Sequence, residues 1–96
     1  MSESKNDYVQ RQTGNSKAWN SEIILLQAHA DRATGKKVDR YRLYIKELTT
    51  LRDGLDEKVS EIQKSGEAGW EELKAGADKS FKALDKSFKS AKAFFN

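Results

Sequence analysis

The chain contains no proline and no cysteine, one histidine and one methionine in 96 residues. Without proline, no position removes a backbone donor or clashes with a preceding helical turn, so long helices are unobstructed. Without cysteine there is no disulfide framework and no thiolate metal site. The longest aliphatic run, Ile23-Ile24-Leu25-Leu26, is far too short to cross a bilayer. No glycine-rich phosphate loop occurs, and no Ser or Thr has an adjacent histidine base. His29 stands alone; the Glu-x-x-His spacings of a carboxylate-bridged metal bundle are missing, which leaves it as a solvated or helix-capping side chain. Asp53, Glu57 and Glu61 are spaced by four but belong to a helix surface, where they pair with neighbouring bases. These absences predict a protein that is not an enzyme and holds no cofactor and no metal.

Charge is abundant and mixed. Eighteen basic and 15 acidic side chains give a net charge of +3, with signs alternating along most of the chain. That pattern reads as a solvated helix surface, whereas a duplex-binding domain gathers its bases on one face. Tyr41 and Tyr44, flanked by Arg40 and Arg42, could suggest base stacking. Asp39 and Glu47 interrupt the basic patch, so core packing is the better account and no nucleic-acid partner is expected. The hydrophilic start, Met1 to Asp7, is no secretory signal, and the expected location is cytoplasmic.

What the chain does have is apolar periodicity. Val38, Tyr41, Ile45, Leu48, Leu55, Val59 and Ile62 recur at steps of three and four, with Arg52 in the one gap. This spacing sets all eight on one narrow helical stripe, a seam for another helix. Arg52 either fixes register as a polar seam residue or packs its methylenes while its head reaches water. Upstream, a weaker stripe runs through Val9, Gln12, Ser16, Trp19, Ile23, Leu26, Ala30 and Ala33, firm from Trp19 onward. Thr13-Gly14-Asn15-Ser16 could break it, with Asn15 or Ser16 as a helix cap. Between Ala33 and Val38 the stripe steps five residues, so the helix either carries a skip or turns at residues 34–36. With a single glycine there, continuity is favoured.

A second break is marked by two glycines in Ser65-Gly66-Glu67-Ala68-Gly69, with Gly66 suited to a left-handed cap. Beyond it Trp70, Leu73, Ala77, Phe81, Leu84, Phe88, Ala91 and Phe95 form another stripe. A heptad is repeated: Asp78-Lys79-Ser80-Phe81-Lys82-Ala83-Leu84, then Asp85-Lys86-Ser87-Phe88-Lys89-Ser90-Ala91. From Lys79 onward there are five lysines and one aspartate. A basic, phenylalanine-rich amphipathic helix can lie on an anionic membrane or in a partner's groove; its seven-residue spacing favours folding back onto the chain's own seam. Phe94 falls off the stripe, which leaves an aromatic available for something else.

Three stretches stand out: Asp7-Tyr8-Val9, Ala18-Trp19-Asn20-Ser21-Glu22-Ile23 and, most specifically, Gly69-Trp70-Glu71-Glu72-Leu73-Lys74-Ala75-Gly76. In these the chain resembles a group of short bacterial coiled-coil proteins of about a hundred residues. The likeness implies an all-helical coiled-coil protein with no assigned activity or catalytic residues. Where those relatives carry alanine- and charge-rich helix, this chain has Thr13-Gly14 and Thr34-Gly35.

The expected architecture is all-α. A frayed start over residues 1–6 precedes a long coiled-coil helix over 7–64, a hinge at 65–69 and a C-terminal helix over 70–95, folded back or packed on a second copy. The alternative is a three-helix bundle turning at Gly35 and Gly66, with three segments of nearly equal length. Few apolar residues and a small size argue for a core shared with a partner. The expectation is therefore a non-enzymatic interaction protein: a homo-oligomer, most simply a dimer, or a small accessory subunit. Its interaction seam comprises Trp19, Ile23, Leu26, Val38, Tyr41, Ile45, Leu48, Arg52, Leu55, Val59 and Ile62. The alternative is peripheral binding to an anionic membrane through Trp70, Leu73, Phe81, Leu84, Phe88 and Phe95.

Overall fold

A computed structural model describes residues 3–95, Phe95 by its backbone alone. Three helices account for nearly all of them: α1 (Lys5–Arg32), α2 (Lys36–Lys64) and α3 (Trp70–Phe95). They form an up-down-up bundle, a rod measuring 52 × 22 × 17 Å. Ser16 of α1 bonds Asp56 of α2, and Arg52 of α2 reaches back to Asn20 of α1, so these two helices run antiparallel. Tyr41 against Phe94 and Ser87 against Glu47 fix α3 antiparallel to α2. The first and third helices are therefore parallel, and they meet through bulky side chains such as Tyr8 on Trp70.

The helix expected to run unbroken from 7 to 64 is two helices. The five-residue step in the stripe is a turn, not a skip. Gly35 adopts φ 72° and ψ −147°, a region open essentially to glycine alone. Ala33 closes α1, its N–H shared between the carbonyls of His29 and Ala30. One glycine suffices for the reversal, and the bundle takes the three-segment form with helices of 28, 29 and 26 residues. Gly66, by contrast, is not left-handed; among the described residues Gly35 alone has a positive φ. Ser65 ends α2 in extended conformation, its hydroxyl and N–H both donating to the Ile62 carbonyl. Gly66 to Gly69 then forms a short turn, and Glu71 and Glu72 occupy the first turn of α3, as the dipole favours.

The start of α1 is more ordered than a frayed end. Ser4 caps it by accepting from the Asp7 N–H at 3.1 Å, and Glu3 pairs with Arg11. Met1 and Ser2, the rest of the expected fray, lie outside the described residues. The Thr13–Ser16 segment does not break α1 either. Its polar side chains bond elsewhere: Thr13 to the Val9 carbonyl, Asn15 to Gln12, and Ser16 across to Asp56.

The core is the seam itself. Leu48, Leu55, Val59 and Ile62 of α2 are buried between Val9, Ile23 and Leu26 of α1 and Ala77, Leu84, Phe88 and Ala91 of α3. From Leu48 to Ile62 one chain thus covers its own seam. Among the described residues no helix is long and apolar enough to cross a membrane.

Candidate interaction surface

The apolar residues singled out by periodicity fall into two groups along the rod. Toward the α2–α3 turn, the α2 stripe from Leu48 to Ile62 is closed over. Toward the α1–α2 turn, Val38, Tyr41 and Ile45 are only half-buried. In α1, Ile23 and Leu26 are buried and Trp19 is half-buried; in α3, Trp70, Leu84 and Phe88 are buried, Leu73 and Phe81 half-buried. The Phe95 side chain lies outside the described residues. Arg52 sits at the edge of the seam with its head held by polar neighbours. Its side chain is 20% exposed and its head bonds Asn20 of the neighbouring helix and Asp53 beside it. Asp53, Glu57 and Glu61 are exposed, as expected of residues off the seam, but among the described residues only Asp53 pairs with a base.

Three large apolar side chains stay outside: Ile24 (55% exposed), Leu25 (57%) and Leu43 (67%). All three lie in the half of the rod that carries the α1–α2 turn, on helix faces turned away from the seam. The cross-links of Asn20 to Arg52 and of Tyr41 to Phe94 set that register. Phe94 is not left over. Its ring sits 5.3 Å from each of Tyr41 and Tyr44, with the Arg40 guanidinium 5.2 Å away, so the two tyrosines serve packing.

Between α1 and α3 the heptad repeat sets Phe81 and Phe88 astride Trp19, at centroid distances of 6.1 and 4.8 Å. These rings prop the helices apart and leave an open groove of about 360 Å³. The Trp19 indole nitrogen is buried there without an acceptor among the described residues. A polar lock closes the other end of this interface. The Tyr8 hydroxyl donates to Asp78 at 2.6 Å and accepts from Gln12 at 3.3 Å, and Asn15 donates to Gln12 at 3.1 Å. Arg11 and Lys74 lie against the Tyr8 ring at 5.1 and 5.5 Å, and the tyrosine is fully covered. Burial, and then the bond to Asp78, push the Tyr8 hydroxyl up from 10.0 to about 12. The bond to Arg11 holds the Glu3 carboxyl below its ordinary value.

The periodic stripes took in Gln12 but missed Tyr8 and Asp78. α1 packs on two helices, so its buried arc is wider than a single seam and takes in Tyr8 beside Val9. The signal available was Tyr8 and Gln12 at i, i+4, one turn of the same face.

Among the described residues no three His, Cys, Asp or Glu side chains cluster as a metal site would require. No family model, no curated protein and no solved structure matches the chain. Fold and surface together define a three-helix bundle with one closed and one half-open end.

Proposed function

We propose that the chain is a non-enzymatic helical interaction module of the cytoplasm that self-associates or serves as a small accessory subunit. The observation that carries this reading is the uneven cover of the apolar residues. Ile24, Leu25 and Leu43 are more than half exposed at the end where Val38, Tyr41 and Ile45 are only partly covered. Exposed apolar surface gains by leaving water at about 25 cal/mol per Å², and association is the route open to it. The resemblance to short bacterial coiled-coil proteins belongs to the same proposal and rests on residues 7–9, 18–23 and, most specifically, 69–76. Membrane insertion through the phenylalanine face is less well supported, because Leu84, Phe88 and Ala91 are buried inside the bundle.

Sedimentation equilibrium tests the reading. The expected result is concentration-dependent association that Ile24→Glu, Leu25→Glu and Leu43→Glu together abolish without lowering the melting temperature. A monomer at every concentration rejects self-association. The accessory-subunit form is rejected if cross-linking in the native cell captures the same proteins with the triple variant as with the wild type.

A further inference from the structure

We propose that the outer face of α3 docks on an anionic lipid surface as a comb of lysines, with the helix remaining folded in the bundle. Lys79, Lys82, Lys86, Lys89 and Lys92 are all exposed. They extend over about 20 Å of helix at 1.5 Å per residue, with Asp85 the one acid among them. That aspartate pairs with Lys89 at 3.1 Å, while Lys79, Lys82 and Lys86 make no ion pair among the described residues. The spacing of three, four and three puts Lys79, Lys82, Lys86 and Lys89 on one side of the helix. The exposed residues between them, Ala83 and Ser90, are small, as are Ala75 and Ala93 on either side. The ammonium groups of Lys79, Lys82, Lys86 and Lys89 therefore stand above their surroundings and can reach one plane, which suits a flat, negatively charged surface, while Lys92 at the edge of the comb lies over the Phe88 ring.

Two further observations favour lipid over nucleic acid. No aromatic ring is offered on this face for base stacking, since Phe88 is buried and Phe81 and Phe94 are half-buried within the bundle. The comb is also straight and one helix wide, whereas protein contacts to a duplex follow a groove and its two phosphate strands. Binding rests on charge alone: a lysine near an anionic leaflet contributes about fivefold in affinity, and the effect fades within a Debye length. The proposal does not depend on self-association, because the comb lies on α3 and the apolar end on α1 and α2.

The test is co-sedimentation with mixed phosphatidylglycerol–phosphatidylcholine vesicles at low salt. The expected result is binding that vanishes on pure phosphatidylcholine and in about 0.5 M salt. Lys79→Gln/Lys82→Gln/Lys86→Gln should weaken it about a hundredfold, at unchanged helicity. Lys37→Gln/Lys46→Gln/Lys64→Gln, which removes the same charge from α2, should weaken it far less. Equal losses from both triple variants, absence of binding to the anionic vesicles, or tighter binding to duplex DNA or RNA overturns the proposal. A brominated-acyl-chain lipid supplies the last arm. Quenching of Trp19 or Trp70 would mean that α3 leaves the bundle and inserts, and docking by the folded comb would be wrong.

Discussion

Replacing Tyr8 by phenylalanine removes one oxygen from a fully covered side chain and tests whether the polar lock holds α1 against α3. The hydroxyl donates to Asp78 at 2.6 Å and accepts from Gln12, itself 1% exposed. A hydrogen bond to a carboxylate contributes about 1.5–3 kcal/mol. The variant also leaves the Gln12 amide without this acceptor, although Asn15 still donates to the Gln12 carbonyl. Against this stands the desolvation of the hydroxyl, which phenylalanine avoids. Asp78 is half-buried and regains some water, so the lower part of the range applies, about 2 kcal/mol. For a domain of this size that is a fall of about 10 °C in melting temperature. Urea unfolding followed by circular dichroism measures it. A cycle with Asp78→Ala should give a coupling of about 1.5 kcal/mol. A loss under about 0.5 kcal/mol, or strict additivity with Asp78→Ala, would show that the lock adds nothing and that the rings of Tyr8, Trp70 and Trp19 hold the interface by themselves.

Three further outcomes are expected. Gly35→Ala should destabilise by about 1–3 kcal/mol in thermal unfolding. A Cβ there meets nothing within 4 Å, so the loss would report backbone strain alone, and an unchanged melting temperature would place the turn elsewhere. Gly54→Ala, in the interior of α2 with equally open space around its Cβ, should stabilise by about 0.5–1 kcal/mol; a loss of stability would mean that the helix bends there. Stability should also fall as pH rises from 10 toward 12. A hydroxyl whose folded pKa is raised from 10.0 to about 12 contributes fully below the lower value and loses its contribution through the higher one. Tyr8→Phe should show a shallower fall in urea midpoints over this window, and parallel curves would refute the assignment.

The helical class, the second turn and the inward faces of α2 and α3 were legible because each is a local pattern. Leu48, Leu55 and Ile62 repeat at sevens, and a helix with one apolar stripe has one way to bury it. The first turn was legible only as an irregular step. A five-residue interval is equally a skip in a supercoil or a reversal, and the choice is made by contacts between Asn20 and Arg52 or Ser16 and Asp56, far apart in sequence. The Tyr8 lock was hidden for a related reason. Asp78 reads as one member of a charged heptad repeat, and its counterpart Asp85 pairs with Lys89, so the two copies of the repeat do different work. Phe94 was misread because the stripe ignores what an adjacent helix offers; Tyr41 and Tyr44 give it a seat off the seam.

The two ends of the rod rest on different physics, and that difference bears on where a partner can dock. At the α2–α3 turn, Ile62 and Leu55 are fully buried, Trp70 packs on Tyr8, and Lys5 donates to the Ser65 carbonyl across the helices. A partner there would have to displace apolar contacts already made, and would recover only what it removed. At the α1–α2 turn, Val38, Tyr41 and Ile45 remain partly wet, and Ile24, Leu25 and Leu43 face water. Covering them forfeits no existing contact, so the transfer term of about 25 cal/mol per Å² is set only against the entropic cost of association itself. Polar specificity sits at one end, in the bond from Tyr8 to Asp78, and unused apolar area at the other. The lock can therefore hold the register of α1 on α3 whether the open end is covered or not, because the two ends share no side chain.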